Sequence, residues 1–270
     1  MKTILITGAS SGIGRAAAVH FQKQGWNVVA TMRTPELETE LNRLDNVLVT
    51  KLDVVEQATI QSAIQEGKER FGRIDVLLNN AGYAAIGAFE AATESQIARQ
   101  FDVNVMGVFR TTQAILPHFR SNKTGTIINI SSIGGRVAFP LLTLYHASKW
   151  AIEGFSESLF YELAEHNIQV KVIEPGNVAT NFTGRSLDVI VDGSLEAYKD
   201  YSERILQKQM ESFRTAVSRP EVIAEAIFEA ANDPSNRLRY VVGEDARFLM
   251  KVRSEMSDEQ FMAMIEENFR

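Results

Sequence analysis

Seven short apolar runs rich in β-branched residues recur along the chain, with helix-patterned stretches between them. The runs are TILIT (3–7), WNVVATM (26–32), NVLVTKLD (46–53), IDVLLNN (74–80), GTIINIS (125–131), IQVKVIEP (168–175) and RYVVG (239–243). Strands this short and nearly all apolar are the pattern of a parallel sheet covered on both faces. Parallel neighbours need crossover connections, and amphipathic stretches such as 56–71, 93–120 and 147–165 supply them as helices. The expected fold class is α/β, a doubly wound parallel sheet. No linker, composition shift or internal repeat divides the sequence, so one domain is expected over residues 1–270. Residues 180–215 break the rhythm as a long connection between the sixth and seventh strands. Insertions of this length are often lids or binding segments; the alternative is an extra helical pair packed on the sheet.

The turn after the first strand carries the clearest chemistry. ILITGASSGIGRAAAVHF places Gly8, Gly12 and Gly14 between strand and helix. Glycines there permit a tight turn, close backbone approach to a pyrophosphate, and close helix–strand packing. The helix start beyond them offers free N–H groups to phosphate. A dinucleotide cofactor is expected. An acid about 20 residues on, at the end of the second strand, would hold the adenosine ribose hydroxyls. Here the segment reads ATMRT: Met32 stands in the acid's place and Arg33 follows. An arginine fork suits a 2′-phosphate, so NADP(H) is expected in preference to NAD(H).

A second feature is YHASK (145–149), which sets a phenol and an ammonium four residues apart. On a helix Tyr145 and Lys149 share a face. A free phenol, with a pKa of about 10, is a poor proton acceptor near neutrality, and a nearby ammonium favours the phenolate.

Composition narrows the partners. The formal charge of −6 comes from 34 acids and 28 bases without long blocks, which gives no footing for nucleic acid. Cysteine is absent, and His20, His118, His146 and His166 are scattered without ligand spacing, so no disulfide or metal site is expected. No apolar run approaches the roughly 18 residues of a bilayer span. The start MKTILITGAS is too short in its apolar part for a signal peptide. A cytoplasmic protein is expected.

TGASSGIG (7–14), NNAG (79–82), Asn104 in DVNVMG, ISS (130–132), YHASK (145–149) and PGNVAT (175–180) occur in the order found in classical short-chain dehydrogenases/reductases, which the chain resembles from residue 3 to about 245. The resemblance implies a Rossmann-type fold with seven parallel strands and an active site at their C-terminal edge. It implies an oxidoreductase moving hydride between a nicotinamide and a carbonyl or secondary alcohol. Tyr145 becomes the general acid/base, and Lys149 both its electrostatic helper and a ligand of the nicotinamide ribose. Ser132 is the hydroxyl that orients the substrate carbonyl, with Ser131 as the near alternative, and Asn104 holds water in a proton relay. Cofactor contacts implied are Gly8, Ser10, Ser11, Gly12, Ile13 and Gly14 in the turn, Arg33 beyond the second strand, and Asp53 with Val54 at the adenine. Asn79, Ala81 and Gly82 flank the ribose, with a partly structural role. Pro175, Gly176, Val178 and Thr180 lie toward the nicotinamide, beside Tyr145 and Lys149. His146 falls at a variable position and reads as packing.

The substrate pocket is expected between Tyr83 to Ile86, Gly134 to Leu142, and Phe182 onward. Val137, Ala138, Phe139, Pro140, Leu141 and Leu142 form an apolar wall, which favours a lipophilic or aromatic carbonyl compound. The alternatives of a different class are a non-catalytic NADP(H)-sensing protein of the same fold and an NAD-preferring alcohol dehydrogenase. By analogy, residues 93–120 and the helix bearing Ala147, Ala151, Phe155 and Leu159 form a self-association face for a homodimer or homotetramer. The tail 245–270 reads as an amphipathic helix capped by SDEQ, with Phe261, Met264, Ile265 and Phe269 on its apolar side. It is free to cover the pocket, pack on the core or meet a second subunit, and packing is preferred.

Overall fold

The computed structural model describes residues 1–179, 186–215 and 217–270, and for residues 212–215 the backbone alone. Its main sheet has the order β3-β2-β1-β4-β6-β7-β9, with every pair parallel. These strands are β1 (Thr3–Ile6), β2 (Asn27–Met32), β3 (Val47–Lys51), β4 (Val76–Asn79), β6 (Gly125–Ile130), β7 (Ile168–Pro175) and β9 (Arg239–Val242). All seven fall inside the runs expected from the sequence. Side-chain alternation divides the core in two. Ile4, Ile6, Val28 and Ala30 pack under α1 (Gly12–Lys23) and α7 (Pro220–Asn232). Leu5, Val29, Leu77 and Ile127 pack under α2 (Gln57–Phe71), α4 (Gly107–Asn122) and α5 (Thr143–Ala164). Each Ile, Leu or Val among them removed from water contributes about 1.5–3 kcal/mol, which is what holds the two helix layers on. The chain leaves β1 for β2 on one side and returns for β4 on the other. A crevice therefore opens at the C-terminal ends of the strands where the winding reverses.

Three features depart from the sequence pattern. The stretch 93–120, read as one helix, is α3 (Glu94–Phe101), a π-helical turn (Asp102–Met106) and then α4. A second small sheet pairs β5 (Ala84–Ile86) with β8 (Leu187–Val189) in parallel. The long connection also contains α6 (Lys199–Thr215), whose Ile205 is buried against Ile86, Ala88 and Leu141. Its described part is thus packed structure, and its residues 180–185 lie outside the described chain. The tail forms α8 (Glu244–Glu255) and α9 (Asp258–Phe269), the latter opened by a reciprocal Ser257–Gln260 capping box. Phe261 and Ile265 bury themselves against Ile133 and Val137, and Lys208 of α6 donates to the carbonyls of Asn268 and Arg270. The tail packs, as preferred.

Candidate active site

Gly8 (φ +71°) and Gly12 (φ +55°) adopt left-handed backbone that admits the sharp turn from β1 into α1. A side chain at Gly14 would come within 2.4 Å of the Gly8 carbonyl, so the helix sits directly on the turn. No side chain caps the α1 start and no acid stands in its first turn, which leaves its N–H groups open to an anion. Asn80 braces this turn: its amide donates to the carbonyls of Thr7 (2.9 Å) and Gly8 (3.1 Å). The Thr7 hydroxyl in turn accepts the N–H groups of Asn80 and Ala81.

A cleft of about 1710 Å³ runs along the C-terminal edge of the sheet. It is lined by Gly8, Ser10, Ser11, Gly12, Ile13, Arg33, Asp53, Val54, Ala81, Gly82, Ser132, Tyr145, Lys149, Pro175, Gly176 and Val178, all singled out by the sequence. Gly14 serves the packing just described. Asn79 points away from the cleft: its amide donates to Thr112 and Asn129 and accepts the Thr111 hydroxyl at 2.6 Å, bracing β4 against β6 and α4. Asn80 lines the cleft instead. The signal was available, because strand alternation sends residue 80 to the side opposite residue 79. Thr180 lies outside the described residues.

At one end of the cleft Met32 is buried and Arg33 exposed. The sequence missed Glu38, a buried carboxylate that also lines this end. Burial pushes its pKa up, but Arg15 (2.6 Å) and the N–H groups of Leu41 and Glu40 outweigh that and hold it down to about 2. The acid is thereby turned onto Arg15 and Leu41.

Midway along, α5 presents Tyr145 and Lys149 on one face. Tyr145 is half-buried and lines the cleft. Burial raises the phenol above its ordinary pKa, and a hydrogen bond with Ser132 draws it partly back. The i, i+4 spacing predicts that the ammonium lowers the phenol. Lys149 instead donates to the Ile130 carbonyl (2.8 Å) and stands 5.7 Å from the Tyr145 ring centre. Burial lowers Lys149 to about 8, against an opposing pull from Glu153. Ser132 is the serine joined to Tyr145, whereas the Ser131 hydroxyl is enclosed without a hydrogen-bond partner on the side of Gly135.

Asn104 sits in the π-helical turn, a kind of helix defect that often marks functional positions. Its Oδ1 accepts the Tyr83 N–H, and its Nδ2 donates to the Tyr83 carbonyl and the Ser148 hydroxyl. Ser148 donates to the carbonyl of Tyr145, and buried Gln100 joins the same cluster through Tyr83, Ala85 and Ser148. This network ties β5 to the helix that carries Tyr145. His146 is buried and accepts from Phe139 N–H (3.4 Å), and burial lowers it to about 4, so it is neutral packing.

At the far end the cleft is bordered by Ile86, Phe139, Leu142, Met210 and Val217. Of the expected wall, Val137 instead packs under the tail, Leu141 packs beside Ile205, and Ala138 is exposed. Pro140 accepts Gln209 Nε2 at 2.6 Å. Met210 comes from the long connection, which the sequence placed beside the pocket, and Val217 follows just beyond it. Among the described residues no helix is long and apolar enough to cross a membrane, and no cluster of metal-ligating side chains is present.

Residues 2–189 match the model of the short chain dehydrogenase family. An uncharacterised oxidoreductase of Schizosaccharomyces pombe is 42% identical over 235 residues, covering 86% of this chain and 97% of that protein. Human 17-beta-hydroxysteroid dehydrogenase type 1 is 34% identical over 274 residues, covering 94% and 81%. The crystal structure of a short-chain dehydrogenase from Streptomyces avermitilis superposes with a TM-score of 0.83 at 34% identity, covering 97% of both chains. Other solved relatives hold either nicotinamide dinucleotide. A 3-ketoacyl-(acyl-carrier-protein) reductase from Brucella melitensis is complexed with NADH (TM-score 0.72, 25% identity, 89% and 96% covered). ElxO has NADP bound (TM-score 0.70, 26% identity, 89% and 97% covered).

Proposed function

The chain belongs to the short-chain dehydrogenase family, and we propose that it is an NADP(H)-dependent reductase of lipophilic or aromatic ketones and aldehydes, with Tyr145 as its acid. The observation that carries this reading is the phenol of Tyr145, hydrogen-bonded to Ser132 and one helical turn from a buried lysine, at the midpoint of a cleft that begins in a glycine turn.

The residues fit the dinucleotide. The open N–H groups at the start of α1 suit the pyrophosphate, and Gly8 and Gly12 let the backbone approach it. Arg33 would hold the 2′-phosphate, Asp53 and Val54 the adenine, and Ala81 and Gly82 the adenosine ribose. Tyr145 and Lys149 would hold the nicotinamide ribose, and Pro175, Gly176, Val178 and Thr180 the carboxamide end. When bound, the cofactor supplies the hydride. The Tyr145 phenol gives its proton to the carbonyl oxygen as the carbon is reduced, so one hydride and one proton make the alcohol. The phenol, with an ordinary pKa of about 10, carries its proton at neutral pH and has it to give. The Lys149 ammonium stabilises the phenolate left behind, and Ser132 orients the carbonyl beside Tyr145. Both side-chain atoms of Asn104 are engaged by the protein, so it acts through the network that positions Tyr83 and Ser148.

Ile86, Phe139, Leu142, Met210 and Val217 make the substrate end apolar. A steroid dehydrogenase among the relatives agrees with a bulky lipophilic carbonyl. Trp150 (51% exposed) and Tyr161 (67% exposed) leave apolar surface on α5, which supports self-association, and a single domain working in the cytoplasm is part of the same reading. The test is a panel of ketones, aldehydes and alcohols assayed with each cofactor by nicotinamide absorbance. Turnover of lipophilic carbonyls with NADPH is expected, and its absence across the panel would contradict the reading.

A further inference from the structure

We propose, resting on the reading of Tyr145 and Lys149 above, that Glu153 is a positioning residue for the reaction: its carboxylate, one helical turn beyond Lys149 on the buried face of α5, is the counter-charge for that ammonium.

Tyr145, Lys149 and Glu153 stand at i, i+4 and i+8 on α5 and so share one face. Lys149 and Glu153 are 8% and 5% exposed, so their charges act with little solvent screening. Arg239 Nε donates to Glu153 Oε2 at 2.9 Å, while Oε1 is enclosed without a hydrogen-bond partner. The segment that carries Ser132 lies directly on this pair. A side chain at Gly135 would come within 2.9 Å of Glu153 Cγ, 3.2 Å of the Lys149 carbonyl and 2.7 Å of the Ser131 hydroxyl. Only glycine lets the loop settle there.

Lys149 needs such a counter-charge. Its hydrogen bond goes to a neutral carbonyl, and burial outweighs the pull of Glu153 to bring the ammonium down to about 8. Glu153 opposes that shift. The other charged groups facing this spot belong to one cluster, in which Arg239 is shared by Glu153, Glu157 and Glu174. On β7, Glu174 accepts Arg136 Nη1 at 3.1 Å and lies 3.5 Å from Arg239 Nε. Burial and the neighbouring Glu153 push Glu174 above the usual carboxylate range. On β9, Arg239 also binds the outer Glu157 at 2.6 Å. On α5, His146 is neutral. Glu153 is the acid in helical register with the lysine.

The test is the titration of Lys149 by NMR with 13C-labelled lysine, the resonance assigned by its loss in Lys149→Met, alongside the pH profile of kcat/KM. Glu153→Gln is expected to lower the Lys149 midpoint by about one pH unit. The alkaline limb of kcat/KM should move down with it. Glu174→Gln is expected to leave the midpoint unchanged or raise it. An unmoved Lys149 midpoint in folded Glu153→Gln overturns the proposal. If that variant does not fold, a fall of the midpoint in Glu174→Gln overturns it, because the counter-charge would then be Glu174. A midpoint that moves while the kcat/KM profile stays fixed upholds the Glu153–Lys149 coupling and removes Lys149 from the mechanism instead.

Discussion

The side-chain amide of Asn104 holds both backbone groups of Tyr83, accepting its N–H at 3.1 Å and donating to its carbonyl at 2.8 Å. The segment after NNAG is thereby fixed to the π-helical turn between α3 and α4, and through Ser148 to the helix of Tyr145. Asn104→Ala leaves a buried N–H without its partner. It should cost about 2 kcal/mol or more, since a buried group left unpaired loses about 1–3 kcal/mol. Urea unfolding of the two proteins checks this, and a loss below about 0.5 kcal/mol would mean the network adapts without the amide.

The buried His146 makes stability depend on pH. Its folded value of about 4 lies below its ordinary 6.5, so the native state excludes the charged ring. The contribution is complete above pH 6.5 and is lost as pH falls toward 4. The loss should amount to about 3 kcal/mol. His146→Asn keeps an acceptor for the Phe139 N–H and should flatten the stability profile in that window. Denaturant midpoints at several pH values measure it; identical slopes in both proteins would remove His146 as the source.

The sheet was legible because its strands are written twice, in apolar runs and in the turns between them. Local sequence also specified the glycine turn and the Ser257–Gln260 cap, both set by neighbours along the chain. The π-helical turn was not legible. Residues 93–120 satisfy a continuous helical pattern, and what breaks the register there is accompanied by the bonds of Asn104 to Tyr83 and Ser148, far away in sequence. The same holds for Glu38, whose conformation depends on Arg15 across 23 residues. The direction of the Tyr145 shift was misjudged for a related reason: spacing reveals a neighbouring charge but not the depth of burial.

Cofactor choice rests on Met32 and Arg33. Met32→Asp with Arg33→Ala should weaken NADPH about ten- to a hundredfold, the value of one charged hydrogen bond of about 1.5–3 kcal/mol, and strengthen NADH. The new aspartate adds repulsion of the phosphate. Ser11 stands where a second basic residue would sit, so the wild-type preference should be moderate. Dissociation constants for both cofactors on both proteins decide it, and tighter binding of NADH by the wild type would make Arg33 a surface residue only.

The proton of Tyr145 is the centre of the account. The direct measurement is the turnover of an accepted ketone by wild type and Tyr145→Phe, with NADPH affinity measured in parallel by fluorescence. Loss of a positioned proton donor should lower turnover about 10²–10⁴-fold or more while the NADPH dissociation constant stays within a few-fold. A Tyr145→Phe protein that retains more than about a tenth of the wild-type rate would contradict the mechanism.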